Sequence, residues 1–114
     1  MSPVKSRARS RRKNPAPVFA ALGDATRLEL VARLSDGERH SITELTDGLA
    51  LTRQAVTKHL RVLSDAGLVN RKRAGRESRF AIRPKALTGA RDYLANISAQ
   101  WDDAIARLRD VVEE

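Results

Sequence analysis

The chain has 114 residues, no cysteine, and a formal net charge of +8 from 22 Lys/Arg against 14 Asp/Glu. That length makes a single domain with a modest core. The missing thiols exclude disulfides and thiolate metal sites and fit a cytoplasmic chain, and no apolar run reaches the length that spans a bilayer. The charge is uneven: +6 over residues 1–13, +4 over 14–83 and −2 over 84–114. A polyanion partner is therefore expected for the first part of the chain only.

Residues 1–15 (M-S-P-V-K-S-R-A-R-S-R-R-K-N-P) have almost no apolar content and read as a disordered basic arm. No apolar segment follows it, unlike a secretory signal. Such an arm serves either as a DNA contact, on phosphate or in a minor groove, or as a solubilising tail. The core should occupy residues 16–83. A short helix is expected from Pro17 to Leu22, where proline suits a first turn, with Val18, Phe19 and Leu22 packing inward and Gly23 ending it. Asp24 is placed to cap a second helix that stops at Gly37, with Leu28, Val31, Ala32 and Leu34 on its buried side. His40 reads as a surface loop residue. A third helix is expected over about Thr43 to Leu49, capped by Ser41 or Thr43, with Ile42, Leu45 and Leu49 inward. A tight A-L-T connection at Ala50 to Thr52 follows.

The stretch L-T-R-Q-A-V-T-K-H-L-R-V-L-S-D-A-G-L, Leu51 to Leu68, is amphipathic with a clear start and stop. Thr52 can cap it and Gly67 can close it. Val56, Leu60 and Leu63 share one apolar stripe. Arg53, Gln54, Thr57, Lys58 and Arg61 fall on the other side, with no carboxylate among them. Alone, that face is either solvated or a surface for phosphate and base edges. Two short helices joined by a turn form a helix-turn-helix, whose second helix enters a major groove.

After Gly67 the period becomes extended. L-V-N-R-K-R-A and E-S-R-F-A-I flank A-G-R-E, where Gly75 can supply a positive φ. This hairpin sets Arg71, Lys72, Arg73, Arg76 and Arg79 against Glu77 alone, and from Arg53 to Arg83 nine basic residues face two acidic ones. A basic ribbon beside a recognition helix reads as a wing, and the shared charge favours DNA binding over a solvated hairpin. Residues 84–114 form the last unit, a helix opening on Pro84. Leu87, Leu94, Trp101 and Leu108 recur every seven residues, as do Ala90, Ile97, Ala104 and Val111. This heptad seam is too long for so small a chain to cover, and a second copy is the expected cover. Leu87, Leu94, Ile97, Trp101, Ala104 and Leu108 are the interface candidates. Trp101 at this spacing is a seam anchor rather than the wall of a ligand pocket. Asp103–Arg107 and Arg109–Glu113 are expected as ion pairs on the outer side. Gly89 is a weak point, costing about 1 kcal/mol relative to Ala.

The element order, with A-L-G-D-A-T-R-L at 21–28, I-T-E-L at 42–45, the stretch ending H-L-R-V-L-S-D-A-G-L-V at 59–69, G-R at 75–76 and W-D at 101–102, resembles the ArsR/SmtB family of small winged-helix repressors. The likeness covers about Pro17 to Val112. It implies a mainly α fold with a β-hairpin wing, and a homodimer that binds an operator on double-stranded DNA. It implies that Arg53, Gln54, Thr57 and Lys58 face DNA, that His59 lies at the edge of that face, either bonding phosphate or packing, and that Arg76 is the wing-tip arginine. Two departures stand out. The family often has glycine in the helix-turn-helix turn, where this chain has Ala50, with Gly48 inside the preceding helix; a left-handed Ala50 would cost of order 1–2 kcal/mol. Metal-sensing relatives use cysteines near the third helix, or histidines and carboxylates on the last. Here Ser41 to Leu49 has no Cys or His, and the last helix has no His to join carboxylates such as Asp92, Asp102, Asp103 and Asp110. No metal or other cofactor is expected.

The resulting expectation is a homodimeric repressor reading an inverted repeat. Lys58 and Arg53 would read guanine and Gln54 adenine, while Thr52, Arg61, Arg73, Arg76 and Arg79 would hold phosphates. The alternative is a non-specific architectural DNA-binding protein. No catalytic residues are expected: there is no nucleophile elbow and no phosphate-cradling loop, and the two histidines are isolated. The operator and any effector are not legible.

Overall fold

A computed structural model describes residues 14–113. Of the expected basic arm only Asn14 and Pro15 fall within it; residues 1–13 lie outside the described residues. The elements are α1 (Ala16–Leu22), α2 (Ala25–Leu34), β1 (His40–Ser41), α3 (Ile42–Thr46), α4 (Arg53–Asp65), β2 (Val69–Ala74), β3 (Glu77–Ile82) and α5 (Pro84–Glu113).

Local chemistry sets the helix starts. The Asn14 side chain accepts from the Ala16 amide at 3.0 Å, so α1 begins one residue earlier than its proline suggests. Asp24 accepts from the Arg27 amide at 3.0 Å and caps α2. Ser41 accepts from the Glu44 amide at 3.1 Å while its hydroxyl donates to the Glu44 carboxylate at 3.2 Å, a reciprocal cap for α3. Thr52 accepts from the Ala55 amide at 3.1 Å and caps α4. Each such cap is worth about 1 kcal/mol.

Several expectations need correction. The buried stripe of α2 is Leu30, Val31 and Leu34; Leu28 is 53% exposed and Ala32 is also open. The stripe is rotated toward Leu30 because that side meets β3 and α4. α3 stops at Thr46, earlier than expected, because Gly48 is not helical. Its φ is +78°, and no non-glycine residue among those described has a positive φ. Gly48, not Ala50, makes the left-handed step of the turn, and the strain considered for Ala50 does not arise. The connection runs from Asp47 to Thr52, longer than the three residues expected. His40 is not a loop residue: it pairs with Phe80 across β1 and β3.

The sheet is antiparallel in the order β1-β3-β2. Arg71 lies opposite Phe80 and Ala74 opposite Glu77, leaving Gly75–Arg76 as a two-residue hairpin turn with Gly75 at φ +64°. A positive φ at the first central position alone is the pattern of a type II′ turn, which matches strand twist. Leu30, Leu34, Leu45, Val56, Leu60, Leu63, Leu68, Val69 and Phe80 form the core where α2, α3, α4 and the sheet meet. Each buried leucine contributes about 1.5–3 kcal/mol of hydrophobic stabilisation. Together they fix α4 by its inner face and leave its outer face free.

The 30 residues of α5 rise about 45 Å at 1.5 Å per residue. Its first turns belong to the body: Ala86 and Leu87 pack on the core, Ala90 is buried, and the Tyr93 ring lies 5.7 Å from that of Phe19 on α1. Beyond Tyr93 the helix leaves the body. Neither expected ion pair, Asp103–Arg107 or Arg109–Glu113, closes within 4.0 Å; the pair on this helix is Arg91–Asp92 at 3.5 Å. Exposed pairs of this kind contribute little, and water solvates these ends equally well. Among the described residues no helix is long and apolar enough to cross a membrane.

Candidate nucleic-acid interface

With Val56, Leu60 and Leu63 buried, the 3.6-residue period turns Arg53, Gln54, Lys58 and Arg61 to solvent. Together with Thr57 and Ile42 these residues line one open groove along α4. No acid lines it, so its potential is positive throughout. The Thr57 hydroxyl donates to the Arg53 carbonyl at 2.7 Å, which orients its lone pairs outward. Thr52 spends its oxygen on the helix cap. Its hydroxyl hydrogen remains available, a donor of the kind a phosphate oxygen accepts.

The wing lies against this helix at two places. Arg76, at the hairpin turn, lines a cleft with Arg53, Ser41, Ile42, Thr43, Glu77 and Ser78. Arg71 shares a second cleft with Thr57, Arg61, Ser64, Asp65 and Phe80. Strand alternation then puts Arg73 on the same face as Arg71, and Lys72 and Arg79 on the opposite face. Arg79 is paired to Glu77 at 3.3 Å. The groove thus meets the wing at Arg71 and Arg76 through two clefts that also carry Asp65 and Glu77, with Arg73 on the Arg71 face of the strand and Arg79 on the other.

His59 sits apart from the other candidates. Its Nδ1 lies 3.2 Å from Arg27 Nη1 and 3.8 Å from Asp24 Oδ2, and its side chain is 24% exposed. Asp24 is held below the usual carboxylate range, chiefly by the hydrogen bond from the Arg27 amide, which outweighs the opposing effect of desolvation, with the Arg27 charge adding to it.

Two side chains to which the sequence reading gave no structural role hold the helix-turn-helix in place. Arg33 donates to the carbonyls of Leu45, at 3.2 Å, and Asp47, covering the open C-terminal end of α3. His40 bonds Asp36 through Nε2 at 2.8 Å and Glu44 through Nδ1 at 3.1 Å, tying the α2–β1 connection to α3. Partial burial pulls the His40 pKa down, but the hydrogen bonds from both carboxylates and their charges outweigh it and raise it. The signal for both residues was their i, i+4 spacing to carboxylates (Glu29 to Arg33, Asp36 to His40, His40 to Glu44).

On α5 the seam candidates divide. Leu87 packs against the core and Ile97 and Ala104 are half-buried. Leu94, Trp101 and Leu108 are open, with Trp101 and Leu108 each 64% exposed. Among the described residues no cluster of three or more His, Asp or Glu side chains is arranged to hold a metal ion.

Comparison with known proteins agrees with this geometry. Residues 22–72 match the family described as a helix-turn-helix domain. The chain is 45% identical over 69 residues to the uncharacterized HTH-type transcriptional regulator YuzN of Bacillus subtilis, covering 55% of this chain and 75% of that protein. It is 36% identical over 67 residues to a probable mercury resistance operon repressor of Streptomyces lividans, covering 59% of this chain and 53% of that one. Among solved structures, an ArsR-like transcriptional regulator from Rhodococcus sp. RHA1 superposes with a TM-score of 0.72 at 36% identity, covering 85% of this chain and 91% of that one.

Proposed function

The chain belongs to the ArsR family of winged helix-turn-helix, DNA-binding transcriptional regulators, and from that premise we propose that it is a cytoplasmic homodimeric repressor of an inverted-repeat operator. The observation that carries this reading is the acid-free groove on α4, continued by Arg71, Arg73 and Arg76 of the wing. Arg53 and Lys58 can each donate to the acceptors of guanine, and Gln54 can pair bidentately with adenine. Thr52, Arg61, Arg73 and Arg76 hold phosphates, which sets register without reading sequence. Arg79 contributes least, since Glu77 already neutralises it.

The far half of α5 supports the dimer. Leu94, Trp101, Leu108 and Val111 present an apolar stripe to water, and a second copy aligned on it buries both stripes at once. Two recognition helices then stand about one DNA turn apart, roughly 34 Å. Repression is the reading closest to the Streptomyces relative, and it requires only that the bound dimer occlude a promoter. The protein acts by binding and catalyses no reaction.

Genomic footprinting followed by titration tests the reading. At one physiological salt concentration, a recovered site should bind about a thousandfold or more tighter than random duplex. Equal affinity for both would make the protein an architectural binder instead.

A further inference from the structure

The guanidinium of Arg27 joins three elements. It stands in the first turn of α2, where its amide is held by Asp24 at 3.0 Å. Its Nε donates to the carbonyl of Ala21 near the end of α1. Its Nη1 meets Nδ1 of His59, in the middle of α4, at 3.2 Å. A guanidinium has donors only and keeps its proton at any ordinary pH. The Nδ1 atom it meets must therefore be the acceptor. With Nδ1 accepting from Arg27, the ring's N–H is at Nε2, the polar group it can offer to the edge of the DNA-facing surface.

The other end of this contact leads to the dimer helix. α1, whose Ala21 carbonyl Arg27 grips, is docked on α5 through the Phe19 and Tyr93 rings. The connection from α5 through α1 and Arg27 to α4 is thus continuous, and among the described residues its polar contact at hydrogen-bond distance onto the recognition helix is Arg27–His59, with Asp24 Oδ2 farther off at 3.8 Å from the same ring nitrogen. We propose that Arg27 is a positioning residue: by holding His59 in the Nε2–H tautomer it fixes the angle and distance of the recognition helix relative to the α1–α5 unit. The inference rests on the dimeric-operator reading above, because that distance, doubled across the two-fold axis, is the half-site spacing.

Two measurements on the full-length protein test it. Nitrogen-15 NMR of the His59 ring should show Nε2 protonated and Nδ1 bare, with the preference lost in Arg27→Met; a wild-type ring protonated on Nδ1 overturns the proposal. Operators with one base pair added or removed between half-sites should bind wild type about tenfold more weakly or worse, since each base pair also rotates the half-site. Arg27→Met should flatten that penalty several-fold while keeping the base preference within each half-site, and His59→Phe should do the same from the other partner. The double variant should be no worse than either single one, because both remove the same bond. If Arg27→Met weakens every operator alike and adds to His59→Phe, Arg27 merely stabilises the fold and the proposal fails. If Arg27→Met does not fold, an unchanged spacing penalty in His59→Phe overturns the proposal just as surely. Wild type indifferent to spacing would instead sink the dimeric-operator reading, and the NMR result would still judge the Arg27–His59 bond.

Discussion

Two surfaces of this molecule are left open, and they are chemically opposite. The outer face of α4 is cationic and amide-bearing, with its charges fanned around a rigid, well-capped helix. The far half of α5 is apolar and stands away from the body. Both expose what a helix ordinarily hides or neutralises, but for different reasons. Unpaired cations are inexpensive in water and become valuable only against phosphate, where counterions are released. Exposed tryptophan and leucine are costly in water and are relieved by burial against a like surface. The first surface therefore suits a ligand of other chemistry, and the second suits cover by a like surface, which the proposed dimer supplies from a second copy.

The largest expected effect breaks this comparison at the seam. Trp101→Glu combined with Leu108→Glu should convert the protein to monomer at micromolar concentration by sedimentation. Operator affinity should fall about a hundredfold or more as the two-headed contact becomes one-headed, while binding to random duplex changes far less. A dimer that survives both charges would place the interface elsewhere. Next in size, Gln54→Ala and Lys58→Ala should each lose about 1–3 kcal/mol on the best operator and alter base preference at one position per half-site. Preference unchanged across an operator library would remove that residue from base reading.

Smaller still, Arg73→Ala and Arg76→Ala should weaken all sequences alike and reduce the slope of log affinity against log salt by about 1 for each phosphate no longer neutralised. Arg79→Ala should have the least effect of the wing variants, given its bond to Glu77. The smallest effect concerns pH. The His40 pKa is raised in the folded state by Asp36 and Glu44 despite desolvation, so its contribution to stability is complete below the unfolded value of about 6.5 and fades as pH rises through the folded value. Thermal melts between about pH 6 and pH 9 should thus fall more steeply for wild type than for His40→Gln. Parallel melting curves would show that the ring contributes nothing through charge.

The recognition helix was legible because everything that defines it is local. Thr52, Gly67 and the spacing of Val56, Leu60 and Leu63 lie within one continuous stretch. The wing was legible for the same reason, down to the role of Gly75. What escaped the sequence depends on partners far along the chain. β1 is two residues long and exists only because β3, some forty residues later, offers a free edge. The register of α2, which turns Leu30 inward and Leu28 outward, follows from what packs on it. The sequence placed His59 at the edge of the DNA face, but its bond to Arg27, 32 positions away, has no local mark.

In the proposed dimer, the bare stripe on the far half of α5 would tie this protein's behaviour to its own abundance. An association that is second order in subunit concentration responds to the square of the free subunit level, so a modest drop in synthesis thins the pairs faster than the singles. If pairing is what operator occupancy requires, a gene under such control is released abruptly as the protein is diluted by growth, without any small molecule having to arrive.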